Sequence, residues 1–123
     1  MIEGEVTPER KGVVRLQVSR LGGPSAEVDA VIDTGFTGFL ALPTDTIARL
    51  GLHLVGSRRG RLADGSLVYM HLYMANVLWD GLLQRVQVLE TSGPCLVGVS
   101  LLYGYVLTFE AIDGGRISIE KLT

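Results

Sequence analysis

The stretch Ala26-Glu27-Val28-Asp29-Ala30-Val31-Ile32-Asp33-Thr34-Gly35 is the most informative in this sequence. A strand begins at Ala26 and becomes fully apolar at Ala30-Val31-Ile32, which predicts an end buried on both faces. A carboxylate, Asp33, follows at once. Desolvation penalises its charged form, so a carboxyl placed there needs partners or a raised pKa. Thr34 offers a hydroxyl, and Gly35 lets the backbone turn tightly and bring N–H groups close. A chain can hold a reactive carboxyl at a strand-to-loop corner in this way. The plainer reading is a loop aspartate that caps a turn, a common place for Asp.

Outward from this stretch the pattern is mostly strand. Gly12–Arg20 alternates, with Val14, Leu16 and Val18 on one face and Arg15, Gln17 and Ser19 on the other. Gly22-Gly23-Pro24-Ser25 is a turn cluster. Phe39–Leu42 is a short apolar run, and Thr44–Leu50 reads as a short helix. Pro43 and Thr44 start that helix, Ile47, Ala48 and Leu50 form its apolar side, and Gly51 stops it. Two long extended segments follow, His53–Ala63 and Ser66–Leu78, with the hairpin dipeptide Asp64-Gly65 between them. Asp80-Gly81 marks a second hairpin leading into Leu82–Glu90. After a loop over Thr91–Pro94 comes Leu96-Val97-Gly98, then one helical turn over Ser100–Tyr103 with Ser100 as its cap. Tyr105–Glu110 and Arg116–Glu120 pair around Asp113-Gly114-Gly115. The sum is an all-β domain with one or two short helices, a small barrel or sandwich.

Composition narrows the function. The chain has 123 residues, which fits one domain spanning 1–123 and leaves no room for two lobes with separate cores. Apolar residues at 47% and charged residues at 20% suit a packed core and argue against disorder. The formal charge of -2 gives no electrostatic footprint for nucleic acid. One cysteine, Cys95, permits neither an intrachain disulfide nor a cysteine-based metal cage. Mean hydropathy is high at +0.35, yet no apolar run approaches the roughly 18 residues of a membrane span. Met1–Arg10 is acidic and polar, unlike a signal peptide, so a soluble cytoplasmic protein with no membrane partner is expected.

Four pieces stand in a telling order: Asp33-Thr34-Gly35 preceded by Val31-Ile32; Phe36-Thr37-Gly38-Phe39-Leu40-Ala41-Leu42-Pro43; the hairpin centred on Ala63-Asp64-Gly65-Ser66; and Leu96-Val97-Gly98 followed by Val99-Ser100-Leu101-Leu102. A triplet of such common residues is weak by itself. Together, the pieces make the chain resemble the retroviral-type (retropepsin-like, clan AA) aspartic proteases, in particular small bacterial members, from about Val14 to Ile119. That resemblance implies a small closed acid-protease barrel and an aspartic endopeptidase. It makes Asp33, Thr34 and Gly35 the catalytic residues and places Ala63, Asp64, Gly65 and Ser66 at the tip of a substrate-binding flap. One triplet per chain implies a homodimer sharing Asp33 from both copies across a twofold axis. The substrate would be an extended peptide or protein, and no metal or organic cofactor is implied. The chain departs from the pattern at Phe36, where many members carry Ala or Ser, at an undecorated flap tip, and in a short C-terminal helix closed by Gly104. Phe36 and the plain tip favour the alternative, a non-catalytic protease-like dimer that binds extended peptides.

Other chemistry-bearing residues read as structural. Asp80-Gly81 and Asp113-Gly114-Gly115 are turns. His53 and His71 lack metal-ligand spacing. Arg58, Arg59 and Arg61 read as the solvated face of a flap strand, with selection of acidic substrates as the sharper option. Cys95 reads as a core thiol, and Trp79, Tyr69 and Tyr73 as core or sheet-face residues.

Overall fold

The computed structural model describes residues 1–61 and 63–123. In chain order the elements are β1 (Ile2–Val6), β2 (Gly12–Ser19), β3 (Ala26–Ile32), β4 (Leu40–Pro43), α1 (Thr44–Leu50), β5 (His53–Arg61), β6 (Leu67–Trp79), β7 (Leu82–Thr91), β8 (Leu96–Val97), α2 (Val99–Leu102), β9 (Tyr105–Phe109) and β10 (Arg116–Lys121). The strand expected over His53–Ala63 crosses Leu62, which lies outside the described residues. Among the described residues no helix is long and apolar enough to cross a membrane.

The strands lie in the order β5-β6-β7-β4-β8-β3-β2-β1-β10-β9, and β6 also pairs with β2. That pairing closes β2, β3, β8, β4, β7 and β6 into a six-stranded barrel. Strand β2 serves two neighbours along its length: Gly12–Val14 pairs with β1, and Gln17–Ser19 with β6. Outside the ring, β5 extends β6, while β1, β10 and β9 extend β2. The architecture is the expected all-β barrel with two short helices.

The period-two pattern is what fills the barrel. Val14, Leu16 and Val18 of β2 are buried, as are Leu40 and Leu42 of β4, Val77 and Trp79 of β6, and Val86 and Val88 of β7. Each such side chain contributes about 1.5–3 kcal/mol on leaving water. Trp79 is fully buried and meets the Tyr105 ring edge-on at 5.9 Å. Tyr73 packs against the core, whereas Tyr69 is 73% exposed. The expectation that β3 ends buried on both faces is corrected: Ala30 is buried, but Val31 and Ile32 are only half-buried. Among the described residues the helices pack mainly elsewhere, α1 on β4 and β7 and α2 on β9.

Local signals set the turns and helices. Asp80 (φ 51°) and Gly81 (φ 80°) both adopt the left-handed conformation, as a two-residue hairpin turn requires. Helix α1 starts after Pro43 and ends at Gly51, but its buried residues are Thr46 and Ile47, and Ala48 faces solvent. Helix α2 begins one residue earlier than expected. Gly98 is its N-cap, so Ser100 lies inside the helix and is not its cap.

Candidate active site

Strand β3 delivers Asp33 through a parallel pairing with β8, in which Val31 lies beside Leu96 and Ile32 beside Val97. The Asp33 N–H extends the ladder by donating to the Val97 carbonyl at 2.9 Å. The Asp33 side chain is half-buried at the corner, and Thr34 and Gly35 are exposed beside it. The Gly35 N–H donates to Asp33 Oδ1 at 2.9 Å. That bond orients the carboxyl group, and among the described residues the other oxygen has no hydrogen-bond partner. The Phe36 N–H donates to the Asp33 carbonyl at 3.1 Å and turns the chain back on itself.

The loop after the triplet is tied to the start of α2. The Gly98 N–H donates to the Phe39 carbonyl at 2.9 Å, the Val99 N–H to that of Phe36 at 2.8 Å, and the Ser100 N–H to that of Gly38 at 3.1 Å. The Ser100 hydroxyl adds a bond to the Thr37 carbonyl at 2.6 Å. The apolar-apolar-glycine element and the triplet thus form one hydrogen-bonded unit. Its tightest point is Gly98, where a Cβ would collide with the Gly38 carbonyl. Gly98→Ala is therefore expected to lower stability by about 1–3 kcal/mol, since the clash is with backbone that cannot turn aside. Urea unfolding measures this, and an unchanged midpoint would show that the loop yields freely.

The Phe36 ring lies against Gly38 and Gly98, in space that side chains at those positions would fill. The bulk of Phe36 is thus accommodated by two neighbouring glycines.

The hairpin of β5 and β6 carries the other expected site residues. Ala63, Asp64, Gly65 and Ser66 lie in its connection, because β5 ends at Arg61, which pairs with Leu67. Asp64 Oδ1 accepts the Ser66 N–H at 2.9 Å and the Ser66 hydroxyl at 2.6 Å. These bonds hold the Asp64 carboxyl below the ordinary carboxylate range. Arg61 Nη1 donates to the Gly65 carbonyl at 3.0 Å. Among the described residues the hydrogen bonds of the tip are therefore internal to the hairpin, and none joins it to Asp33. The arms do reach the loop. A cavity of about 170 Å³ is lined by residues 36–40 together with Arg58 of β5, Leu72 of β6, Gln87 and Leu89 of β7, and Ser100 of α2.

Burial pushes the Cys95 thiol up, as for a core thiol. His71 Nδ1 lies 3.2 Å from Glu90 Oε1, and His53 pairs across the hairpin with Met74. Among the described residues no three His, Cys, Asp or Glu side chains cluster as a metal site. The structure gives two residues surroundings that the sequence does not show. Ser100 was expected as a cap and instead braces the Thr37 carbonyl, a tertiary contact with no local signature. Arg58 faces a cavity, which the strand pairing reveals.

No family model matches the chain, and no curated protein matches it. Solved structures do. The EIAV protease complexed with the inhibitor HBY-793 superposes with a TM-score of 0.57 at 15% identity, covering 77% of this chain and 88% of that one. A retropepsin-like aspartic protease from Rickettsia conorii gives a TM-score of 0.63 at 15% identity, covering 94% of this chain and 87% of that one. At such identity the likeness is one of fold, and the fold is retropepsin-like.

Proposed function

We propose that this chain is an aspartic endopeptidase whose dyad is Asp33 from two identical subunits. The observation that carries the reading is the corner itself. A half-buried carboxylate at the end of a barrel strand accepts the Gly35 N–H and sits on a loop pinned by Gly98 and Ser100, within a retropepsin-like fold.

A single chain supplies half of the chemistry. Two carboxyls close together cannot both ionise, so the pair shares one proton. The ionised member takes a proton from water as the water oxygen bonds to the scissile carbonyl carbon. The protonated member gives its proton to the carbonyl oxygen, forming a tetrahedral diol. Collapse of the diol breaks the C–N bond, and a proton passes to the departing amine. In this scheme the Thr34 hydroxyls brace the two corners across the axis. The hairpin tip Ala63-Asp64-Gly65-Ser66 closes over an extended peptide held by strand-like main-chain pairing.

The sheet offers a seam for the second copy. Its free edges are β5 and β9. Strand β5 carries Arg58, Arg59 and Arg61, and such positive charge guards an edge against pairing. Strand β9, Tyr105-Val106-Leu107-Thr108-Phe109, carries no charge, and Val106 and Phe109 are 46% and 41% exposed. It follows α2 directly, so pairing of β9 with its partner copy links the seam through α2 to the Asp33 loop.

The test is cleavage of a mixed peptide library from acidic to neutral pH, with products identified by mass spectrometry. New termini supporting one preferred sequence are expected. A library left intact by a dimeric preparation would overturn hydrolysis and leave peptide binding as the function.

A further inference from the structure

The cavity beside the Asp33 loop contains one charged group. Phe36, Leu72 and Leu89 give it apolar walls beside polar ones, and the Ser100 hydroxyl is already committed to the Thr37 carbonyl. The charge is Arg58, and the strand register explains why this arginine and not its neighbours lies there. Arg58 pairs across the hairpin with Met70, so it shares a face with Leu72, while Arg59 and Arg61 alternate to the opposite face. Arg61 is occupied with the Gly65 carbonyl, and Arg59 lies opposite the exposed Tyr69. On its own face Arg58 is flanked along the strand by Gly56 and Gly60, which project no side chain. Among the described residues it forms no ion pair, although Arg15 and Arg116 both do.

We propose that this cavity is a specificity site for an acidic side chain of the peptide substrate, with Arg58 as the residue that selects it. The guanidinium presents a planar fork that matches a carboxylate through two parallel N–H donors. The Gln87 amide on the same cavity supplies a further donor. A lysine or arginine side chain of the substrate meets like charge there. The site's place on the peptide path rests on the proposed peptidase reading. The cavity begins at Phe36, next to the triplet, so it takes a side chain near the scissile bond but outside the dyad.

The experiment uses two readouts on paired peptide libraries that differ by Glu against Gln at each position. The first is cleavage by the wild-type dimer, and the second is binding to Asp33→Asn protein. At one position Glu is expected to exceed Gln by roughly tenfold in both readouts. Arg58→Glu is expected to abolish or invert that preference while Arg59→Glu leaves it in place. An unchanged preference in Arg58→Glu, or an equal loss in Arg59→Glu, would overturn the assignment. Acid-selective binding without any cleavage would sink hydrolysis and leave the Arg58 site standing. Cleavage without acid preference would do the reverse, and libraries neither bound nor cut would overturn both.

Discussion

Asp33→Asn is expected to remove peptide hydrolysis by roughly a thousandfold or more, the equivalent of about 4 kcal/mol of transition-state stabilisation. The substitution is nearly isosteric, and the amide oxygen still accepts the Gly35 N–H that holds the corner at 2.9 Å. The backbone bonds from Asp33 to Val97 and from Phe36 to Asp33 do not involve the side chain. Thermal unfolding and sedimentation are therefore expected to match the wild type closely. What the amide lacks is the ability to take a proton from water or to carry the one proton of the dyad. Full cleavage by the variant would show that the carboxyl performs no chemistry. Loss of the dimer together with activity would show instead that Asp33 is a structural turn residue, the plainer reading of its place after a strand.

Val106→Lys is expected to separate the subunits and take activity with them. Val106 is half exposed on the uncharged edge strand β9, and its cross-strand partner in the same chain is Glu120. A lysine there faces Glu120 within the monomer, so the fold is not penalised, while it puts a positive charge on the edge that each copy would bring to the proposed seam. At concentrations where the wild type is dimeric, activity per chain is expected to fall by more than roughly tenfold and to recover as concentration rises. Val106→Thr, neutral and well suited to a strand, is expected to keep both dimer and activity. A lysine variant that sediments as an unchanged dimer would place the seam elsewhere.

Most of the fold was legible because its determinants are local. The alternation of Val14, Leu16 and Val18 and the turn dipeptides Asp64-Gly65 and Asp80-Gly81 locate the strands, and Pro43 and Gly51 delimit α1. Strand β1 was missed. Its alternation runs through Ile2, Gly4 and Val6, and the glycine in the middle breaks the apolar signal. That glycine is needed because a Cβ there would strike the Val13 carbonyl of β2, a contact visible only once the strands are paired. The Asp33 corner was legible in the same way as the strands, from an apolar run that stops at a carboxylate. The environment of the hairpin was not, because a turn dipeptide does not fix register. Arg61 pairs with Leu67 and so Arg58 with Met70, and this pairing places Arg58 beside Leu72 at the loop. Ser100 illustrates the same limit, since its partner Thr37 lies 63 residues away.

The shared dyad is tested most directly by mixing. Wild-type and Asp33→Asn chains are allowed to exchange at constant total concentration, and cleavage is followed as the wild-type fraction is varied. If each site needs Asp33 from both subunits, only dimers of two wild-type chains cut. Activity then falls as the square of the wild-type fraction, to about one quarter in an equal mixture of freely exchanging subunits. A linear decline, to about one half in that mixture, would show that each chain works alone and would contradict the shared dyad.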